Sequence, residues 1–441
     1  MRHLRELEQS QWWPAERIEE LQSEKLRRLI RHAYENVPYY RKVMDERGIN
    51  PLDIRSAADL SRMPVLTREM ARLNAADLVS RVPVRTPVWK ASTGGSTGTP
   101  LSFYTTSEDQ REHGFARGIR ALEYAGVRLG DGRMLIRRAR HKEGLKEKTL
   151  HQMSRRIERV IELDGRDITL NTLPAIVAIL RRPGLICLTG YPTAVAYIAA
   201  WIHQAGVTPP ALDSVITGGE QLFEHQRQWM RDAFGREPHS KYSCQEVFEI
   251  AMECEAHTGL HVAAEDVVVE VAGTGDHPLP PGEEGRLLLT NLHNYVMPFI
   301  RYENGDSGSF VPGRCPCGRS LPLLSHVVGR RFDTVYTPSG RRITGSNLGS
   351  SRLAQFPVLQ FQFVQEELDR LVVRVVPHPG TGAQDLEQMV KRIPPMLTET
   401  IGSDVRVEVE LCDEIPLTSG GKHLLVISKV DPDSWLRRSE S

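Results

Sequence analysis

The segment Ala91–Pro100, with the sequence ASTGGSTGTP, combines three glycines and five hydroxyl residues within ten positions. The apolar stretch Pro87–Trp89 leads into it through Lys90, and Leu101–Tyr104 follow it. Because glycine bends freely and such a loop presents many N–H and O–H donors, the segment can surround an anion. The same composition is typical of exposed linkers, so the segment alone does not decide between a phosphate-binding loop and a linker.

Composition indicates a globular protein with more than one domain. The chain has 441 residues, of which 40% are apolar and 25% are charged, and this length exceeds one ordinary hydrophobic core. The 56 basic and 56 acidic residues cancel, so net charge gives no general attraction to nucleic acid or to membrane surfaces. We therefore expect no nucleic-acid partner and no membrane partner.

Hydrophobic patterning predicts neither a membrane span nor a secretory signal. No run reaches the roughly 18 apolar residues that a spanning helix needs. Residues Met1–Leu7 are charged and lack an apolar core. These features favour a cytoplasmic location. They do not decide the oligomeric state, and a homodimer is compatible with them.

The N-terminal region is predicted to be helical. Apolar residues recur at helical spacing over residues 15–37, and Val37-Pro38 should end that helix. A second helix should begin at Tyr39-Tyr40 and stop at Gly48, and a short helix and turn should follow over residues 59–66. Together these elements predict a helical cap over a larger domain.

Beyond the glycine loop, short apolar runs alternate with helical segments. Helices are predicted over residues 107–126, 168–181, 193–204 and 223–234, and strands over residues 134–136, 185–188 and 214–217. This alternation is typical of a parallel sheet with crossover helices. The segments Thr189–Pro192 and Thr217–Glu220 follow two of these strands, so they should lie at the carboxyl edge, where open α/β sheets bind ligands.

From residue 262 onward the pattern becomes rich in strands, which are predicted over residues 267–271, 285–290 and 299–302. After a boundary near residues 329–333 we expect a small α+β unit with strands at 361–364, 371–376 and 405–411. Its helix, over residues 385–393, should end or kink at Pro394-Pro395 because proline cannot donate the helical hydrogen bond.

The six cysteines are too few for a disulfide scaffold in a chain of 441 residues. Cys315 and Cys317 flank a proline, and Cys254 precedes two histidines, His257 and His261. A Cys/Cys pair and a Cys/His pair suit a tetrahedral Zn²⁺ ion, whereas free cysteines beside surface histidines are the alternative. The spacing does not decide whether His257 or His261 is the ligand.

Five separated stretches resemble, in order, motifs of the adenylate-forming superfamily, and most closely those of its phenylacetate–CoA ligase and CapK-like branch. They are the glycine loop Thr93–Pro100, the Tyr-x-x-x-Glu motif Tyr242–Glu246, the Tyr-x-x-Gly-Asp motif Tyr302–Asp306, the dipeptide Gly329-Arg330 and the lysine loop Pro416–Lys422. The segment His32–Arg41 also resembles that branch. Each motif is common by itself, and their order and spacing make the resemblance specific.

The resemblance implies a fold of class α/β and α+β. A large N-terminal adenylate-forming domain, with a parallel sheet and a β-rich subdomain, would precede a small mobile α+β domain. We expect residues 1–80 to form the helical cap of the large domain, residues 81–330 its AMP-binding core, and residues 331–441 the small domain that carries Lys422.

The resemblance also implies a reaction, in which a carboxylate joins the α-phosphate of ATP and pyrophosphate leaves. Loop donors can bind the β- and γ-phosphates, and Glu246 would hold the Mg²⁺ that bridges phosphate oxygens. Asp306 would accept both ribose hydroxyls, and Arg330 would reach the ribose or phosphate side. The implied ATP-binding residues are Ser92, Thr93, Gly94, Gly95, Ser96, Thr97, Gly98, Gly219, Glu220, Tyr242, Asp306 and Arg330.

The resemblance implies two catalytic residues, Glu246 and Lys422. A lysine ammonium is a mobile point charge that can bridge the substrate carboxylate and the α-phosphate. The small domain would deliver Lys422 and then rotate about a hinge at Asp333 to admit an acceptor thiol. The implied cofactors are ATP, Mg²⁺, CoA and a structural Zn²⁺, since CapK-like members share the Cys/His arrangement.

The sequence departs from the branch at two positions. Thr99 stands where many members have lysine, which removes one positive charge beside the phosphates. Lys90 is a nearby replacement, although a solvated lysine is its more ordinary interpretation. Phe332 stands where the branch usually has an acid before the hinge aspartate, which weakens the assignment of Asp333 as the hinge.

Three functions remain open from the sequence. The first is a ligase that activates a small-molecule carboxylic acid, aryl or small and hydrophobic, and ends in a CoA thioester. The second passes the acyl or AMP group to an amine, a sugar or a carrier, as capsule or natural-product biosynthesis would require. The third is a catalytically inactive homologue that only binds nucleotide, against which Glu246, Asp306 and Lys422 argue. A P-loop NTPase is excluded because the chain lacks Gly-x-x-x-x-Gly-Lys-Ser/Thr.

Overall fold

A computed structural model describes residues 2–83, 86–92, 101–137, 153, 155–325, 327, 334–344, 348, 353, 355–378, 380–417 and 424–430. Several predicted site residues lie outside these ranges, namely Thr93 to Gly98, Arg330, Asp333 and Lys422. The chain divides into two compact units. Unit 1 contains residues Met1–Leu129 and His239–Val328, and unit 2 contains Gly130–Pro238 and Gly329–Ser441.

The α-helices are α1 (Arg2–Ser10), α2 (Ala15–Asn36), α3 (Pro38–Glu46), α4 (Arg68–Leu73), α5 (Phe115–Tyr124), α6 (Leu173–Leu180), α7 (Pro192–Gln204), α8 (Glu224–Phe234) and α9 (Ala383–Ile401). Short 3₁₀ segments cover Pro51–Asp53, Ala57–Arg62 and Gly165–Asp167, and a π-helical turn at Asp109–Gly114 precedes α5.

The strands are β1 (Leu66–Thr67), β2 (Val88–Ser92), β3 (Ser102–Thr106), β4 (Gly132–Arg137), β5 (Val160–Asp164), β6 (Leu185–Gly190), β7 (Ser214–Gly218), β8 (His239–Cys244), β9 (Phe248–Glu253), β10 (Leu260–Val262), β11 (Val267–Ala272), β12 (Gly285–Asn291), β13 (Tyr302–Gly308), β14 (Leu323–Leu324), β15 (Thr334–Tyr336), β16 (Arg342–Thr344), β17 (Val358–Glu367), β18 (Arg370–Pro377), β19 (Arg406–Leu411) and β20 (Val426–Ser428).

The N-terminal helices of unit 1 follow the predicted pattern. Helix α2 buries Leu26, Leu29 and Ile30 at helical spacing, and these side chains enter a core shared with α3 and with the chain before β13. Val37 leaves the helical conformation at φ −113° and ψ 110°, and Pro38 begins α3. The predicted end of the first long helix is therefore confirmed, and its physical cause is the restriction that proline places on the preceding residue.

Two small sheets and a hairpin carry the functional segments of unit 1. One sheet has the order β1-β13-β12-β11, in which β1 runs parallel to β13 and the other pairs are antiparallel. In the other, β14, β10, β9 and β8 pair antiparallel in that order. Strands β2 and β3 form an antiparallel hairpin whose last paired residues before the intervening segment are Ser92 and Ser102.

Unit 2 contains the predicted parallel sheet, in the order β7-β6-β4-β5. Its helices α6, α7 and α8 pack against it through a buried aliphatic core that includes Leu188, Val195 and Val215. The predicted alternation of strands and helices in this region is confirmed. The carboxyl ends of β6 and β7 meet at one edge, where Gly190 and Gly218 are the last strand residues.

The last part of unit 2 is a sheet of order β19-β18-β17-β20 against which α9 packs. The predicted end of this helix at Pro394-Pro395 is wrong, because α9 continues to Ile401. Met389, Ile393, Leu397 and Ile401 recur every four residues and are completely buried against the sheet. Burial of this apolar face offsets the hydrogen bonds that the two prolines cannot donate.

A second prediction, a strand over residues 299–302, is wrong for its first three residues. Strand β13 begins only at Tyr302, because Arg301 has a left-handed backbone with φ 49°. The proposed division at residues 80 and 330 stays a prediction. Within the described part of the chain, no helix combines the length and the apolar character that a membrane crossing requires.

Candidate active site and metal centre

The tight turn between β8 and β9 presents Glu246, a buried carboxylate with 4% exposure. The Tyr302 hydroxyl donates to Glu246 Oε1 over 2.8 Å. Burial raises the pKa of Tyr302, and the Glu246 charge raises it further, so this hydroxyl keeps its proton. The first residue of β13 therefore orients the carboxylate that the sequence predicts as the Mg²⁺ ligand.

Asp306, on the same strand, lies in a second group of hydrogen bonds. The Tyr242 hydroxyl donates to Asp306 Oδ2 over 2.8 Å. Burial raises the pKa of Tyr242 well above its usual value, and Asp306 adds to this effect. The structure thus brings two sequence-predicted residues, Tyr242 and Asp306, into direct contact.

Asn304 completes that group, and the sequence reasoning missed it. Its amide nitrogen donates to the Tyr242 hydroxyl over 2.7 Å and to Asp306 Oδ2 over 2.6 Å. Its amide oxygen accepts from the Asp306 backbone N–H over 3.1 Å. Asn304 lies at an undefined position of the Tyr-x-x-Gly-Asp motif, so only its proximity to the two named motif residues could have drawn attention to it.

Arg68 is a second residue that the sequence did not indicate. It begins α4, directly after β1, and β1 pairs with β13 through Leu66 and Tyr302. This pairing brings the Arg68 guanidinium to 3.8 Å from Glu246 Oε1. A permanent positive charge therefore lies beside the buried carboxylate, although Arg68 is far from Glu246 in sequence.

The position of β13 depends on Arg301. This fully buried residue pairs through Nε with both oxygens of Glu270, at 3.1 and 3.2 Å. Its other nitrogens donate to the carbonyl oxygens of Met63 and Asp276. In return, the Arg301 carbonyl accepts from the Leu66 N–H over 3.0 Å. One side chain thus links the start of β13 to β11 and to the segment that leads into α4.

A Cys/His group lies at the other end of the β8–β9 hairpin. Cys254 follows β9, His261 lies on β10, and Cys315 and Cys317 lie in the loop before β14. Their ligand atoms all lie within 4.8 Å of one another, with Cys254 Sγ 3.5 Å from Cys315 Sγ and Cys317 Sγ 3.3 Å from His261 Nε2. Three thiols and one imidazole form a donor set that fits Zn²⁺.

The protonation of this group also suits a metal site. Burial lowers the pKa of His261 to about 4, and Arg319 contributes to the decrease, so the imidazole is neutral and can act as a ligand at pH 7. Burial raises the pKa of Cys254 to about 12. Metal binding would therefore have to displace a proton from this thiol, which makes the expected affinity depend on pH.

His257 is not part of the group. Its Nδ1 lies 3.2 Å from Glu253 Oε2, and its ring lies 4.5 Å from that of His239. The backbone of His257 is left-handed at φ 48°, which directs the side chain away from the thiols that precede and follow it. Of the two histidines that the spacing left open, the structure brings His261 to the cysteines.

Comparisons with known proteins agree with the resemblance that the motifs predict. The profile of the CapK C-terminal domain matches residues 335–429. A phenylacetate–coenzyme A ligase of Aromatoleum evansii is 29% identical over 414 residues, which cover 88% of this chain and 89% of that protein. Protein CapK of Staphylococcus aureus is 22% identical over 436 residues, which cover 93% and 89%. This chain is similar over most of its length to proteins of the phenylacetate–CoA ligase and CapK branch, as the motifs predicted.

Solved structures show the same fold. A 2-hydroxyisobutyryl-CoA ligase in the postadenylation state aligns with 98% of this chain and 94% of its own, with a TM-score of 0.78 and 21% identity. The anthranilate CoA ligase AuaEII in complex with anthranoyl-AMP aligns with 82% of this chain and 68% of its own, with a TM-score of 0.57 and 14% identity. The predicted α/β and α+β fold class is confirmed.

The structure describes some of the remaining predicted site residues. Ser92 ends β2, so residues 93–101 connect the two strands of a hairpin. In unit 2, Gly219 follows β7 with a left-handed φ of 84°. Glu220 Oε2 accepts from the Thr193 hydroxyl over 2.6 Å and from the Thr193 N–H over 3.3 Å. Residues Thr93 to Gly98, Arg330, Asp333 and Lys422 lie outside the described residues.

A second cluster of metal-type side chains in unit 1, formed by His3, His113, Asp266 and His293, does not suit a metal ion. The Lys25 ammonium already lies 2.9 Å from Asp266 Oδ1 and 3.3 Å from His293 Nε2. The rings of His113 and His293 are stacked, with centroids 3.5 Å apart and planes within 18°, so they cannot point their lone pairs at one ion. This cluster instead attaches α1 to the rest of unit 1.

We expect Arg301→Met to destabilise the protein by about 3–5 kcal/mol at pH 7.5, since it leaves the buried Glu270 carboxylate without its partner. Burial raises the pKa of Glu270, and Arg301 opposes that rise. When folding raises the pKa of a carboxyl group, the protein loses stability as the pH rises from the unfolded-state pKa of that group to its folded-state pKa. Removing Arg301 raises the pKa further, so the loss measured by urea unfolding should be smaller at pH 5.5.

The double variant Arg301→Met/Glu270→Leu is the control, because it removes both charges and should recover much of the stability. An equal loss for Arg301→Met at both pH values, or no recovery in the double variant, would contradict a buried ion pair at the start of β13.

Proposed function

We propose that this protein activates a carboxylic acid with ATP and transfers the acyl group to CoA. The observation that carries the proposal is the placement of two carboxylates within unit 1: the buried Glu246 accepts from the Tyr302 hydroxyl, and the partly buried Asp306 accepts from the Tyr242 hydroxyl. The relatives named phenylacetate–coenzyme A ligase, at 29% identity over most of the chain, support the same reaction.

Glu246 is suited to hold Mg²⁺. The ion prefers carboxylate oxygen, and it usually combines one or two carboxylates with phosphate oxygens and waters. The hydrogen bond from the Tyr302 hydroxyl fixes the direction of one oxygen of Glu246. When bound, Mg²⁺ would stabilise the charge that develops on the departing pyrophosphate.

Asp306 would accept the ribose hydroxyls. A carboxylate has about four lone-pair sites on its two oxygens, so Asp306 can accept two neighbouring hydroxyls in addition to the two donors at Oδ2. The hydrogen bonds from Tyr242 and Asn304 to Oδ2 fix the carboxylate plane. Ser92, Thr93, Gly94, Gly95, Ser96, Thr97, Gly98, Gly219, Glu220 and Arg330 would contribute the remaining contacts to ATP, as the resemblance implies.

Arg68 would supply positive charge near the β- and γ-phosphates. The loop has Thr99 where many family members have lysine, so it lacks one countercharge. The Arg68 guanidinium lies 3.8 Å from Glu246, and a planar guanidinium binds phosphate oxygens in pairs. Arg68 would contact phosphate oxygens from its position beside Glu246 and so replace part of the missing charge.

In the first step an acid oxygen attacks the α-phosphorus, and the bond to the β-phosphate oxygen breaks to give acyl-AMP and pyrophosphate. Lys422 would neutralise the two approaching anions. In the second step the thiol sulfur attacks the acyl carbon, its proton leaves to solvent, and the bond to AMP breaks. Asp333 would be the hinge between the two orientations of the small domain.

The acid would be aryl or small and hydrophobic. Phe248, next to the Glu246 turn, has a left-handed backbone at φ 65°, and its ring packs on Gly114 of the π-helical turn. A Cβ at Gly114 would lie 3.0 Å from the ring, so no larger residue fits there without displacing Phe248. This contact would place an aromatic wall near the site, as a pocket for such an acid requires.

A second function differs in the acceptor. Protein CapK is similar to 93% of this chain, and the profile of the CapK C-terminal domain covers residues 335–429, within the proposed small domain. The small domain would admit the acceptor, so this similarity favours an amine, sugar or carrier as the alternative to CoA.

We further propose that Cys254, His261, Cys315 and Cys317 hold one structural Zn²⁺. All four positions of a tetrahedral ion would be filled by protein ligands, which is typical of structural rather than catalytic sites. The ion would stabilise the end of the β8–β9 hairpin that carries Tyr242 and Glu246.

The proposed function is tested by pyrophosphate release across a panel of aryl, short aliphatic and amino acids, each with and without CoA. We expect release that depends on an acid, with a thioester formed when CoA is present. Lys422→Ala should lower release by about 10³-fold or more while ATP still binds, because its charge acts mainly in the transition state. Acid-dependent release without any thioester would favour the second acceptor class. ATP binding without release for any acid would favour an inactive homologue.

Arg68→Met should raise the KM for Mg·ATP about 10- to 100-fold, the effect of losing a charge-assisted contact. Arg72→Met, an exposed arginine on the same helix, is the matched control and should change little. The measurement is the ATP dependence of pyrophosphate release at fixed acid. Equal KM values for the two variants would contradict a phosphate contact by Arg68.

Metal analysis of the freshly purified protein should find about one zinc ion per chain. The variant Cys315→Ser/Cys317→Ser should lose it and unfold at lower temperature, because binding energy at a structural site is folding energy. Cys412→Ser, a change of a cysteine outside the group, is the control and should retain the metal. Protein without any bound metal would contradict the site.

A further inference from the structure

We propose that Asn304 is a positioning residue that orients Asp306 and so sets the preference of the protein for ribose over 2′-deoxyribose nucleotides. This inference rests on the proposed function, in which Asp306 accepts the ribose hydroxyls. Asn304 is buried, with 7% exposure, and lies on β13 two residues before Asp306.

Every hydrogen-bonding group of the Asn304 side chain has a partner in this cluster. Two N–H bonds point to the Tyr242 hydroxyl and to Asp306 Oδ2, and the oxygen accepts from the Asp306 N–H. The opposite amide orientation would bring the amide oxygen within 2.6 Å of a carboxylate oxygen, where two acceptors repel each other. The network therefore fixes which way the amide points.

The amide also determines the direction of the neighbouring hydrogen bond. Since the Tyr242 oxygen accepts from Asn304, its single proton is directed to Asp306 Oδ2. Burial holds the pKa of the Tyr242 hydroxyl well above neutral pH, so this proton is always present. Asp306 Oδ2 thus receives two donors from fixed directions, and the plane of the carboxylate cannot rotate.

A fixed carboxylate can discriminate between sugars. A site built to pair with a hydroxyl rejects the analogue that lacks it, because the polar group of the protein is left unpaired. This penalty requires that the carboxylate cannot turn toward another donor. Without Asn304 the carboxylate gains that freedom, so binding of ATP should weaken more than binding of 2′-deoxyATP.

The test measures dissociation constants of Mg·ATP and Mg·2′-deoxyATP for the full chain by calorimetry, without any acid. The unsubstituted protein should prefer ATP, and in Asn304→Ala this preference should fall about tenfold. Asn304→Thr keeps one hydroxyl donor and should retain part of the preference. Asn304→Asp adds a second negative charge beside Asp306 and should weaken binding of both nucleotides.

The control is Asn74→Ala, which removes an amide that donates to the Met70 carbonyl at the end of α4. It should leave the preference unchanged. A general loss of folding would lower the fraction of active protein without changing the ratio of the two dissociation constants, so the ratio separates positioning from stability. If Asn304→Ala and Asn304→Thr keep the original ratio, the inference is overturned while the proposed reaction stands. If the unsubstituted protein binds both nucleotides equally, the ribose role of Asp306 fails, and the inference fails with it.

Discussion

The buried pair of Arg301 and Glu270 is the interaction on which the candidate active site depends. Arg301 adopts a left-handed backbone, and the strand that carries Tyr302, Asn304 and Asp306 begins immediately after it. A non-glycine residue in that region is strained and persists where its surroundings fix it. Here the side chain is fixed by a carboxylate and two carbonyl groups. The strain thus lies one residue before the first functional side chain.

The position of Arg301 also determines where the positive charge of Arg68 lies. The carbonyl of Arg301 binds β1, and β1 leads into α4, so the same residue that starts β13 also places Arg68 beside Glu246. An acid and a guanidinium that are 178 positions apart in sequence (246 minus 68) are brought together by one strand pair. The glycine loop of this chain has threonine in place of a common lysine. In the proposed reaction, Arg68 would supply part of the missing positive charge, and its position comes from the fold rather than from the loop.

The Cys/His group and the active-site turn are two ends of one hairpin. Tyr242 and Glu246 lie at the β8–β9 turn, while Cys254 follows β9 at the opposite end. The cysteines at 315 and 317 reach Cys254 through the loop before β14, so a bound ion would close a long stretch of chain around the hairpin. Closing a long loop lowers the entropy of the unfolded chain more than closing a short one. A metal at this position would therefore stabilise the strands that present the catalytic groups without contacting the nucleotide.

The sequence allowed prediction of those features that depend on local pattern. Helix α2 and the parallel strands β4, β6 and β7 follow from local patterns and are confirmed, whereas β5 was not predicted. The α+β character expected after residue 334 is confirmed in the described residues of that region. Features that depend on tertiary contacts were mispredicted or missed. The prolines of α9 were expected to end or kink the helix, but the helix continues to Ile401 because its apolar face is buried. Arg301 was expected to be extended, but Glu270 and two carbonyl groups bind its side chain while its backbone is left-handed.

The residues of the candidate site fall into the same two groups, those that sequence motifs predict and those that only tertiary contacts reveal. Glu246, Tyr242 and Asp306 could be named from motifs, because each of them occupies a defined position within a short sequence motif. Arg68 and Asn304 could not, because their significance comes only from the atoms that they approach in space. Spacing also left two histidines open beside Cys254, and the left-handed backbone of His257 is a property that spacing does not encode. A motif thus identifies the group that reacts or binds, whereas the residues that set its charge and orientation are found where strands from distant parts of the chain meet. For Arg68, that place is the short pairing of β1 with β13, and substitutions on β1 should alter nucleotide binding without changing any motif.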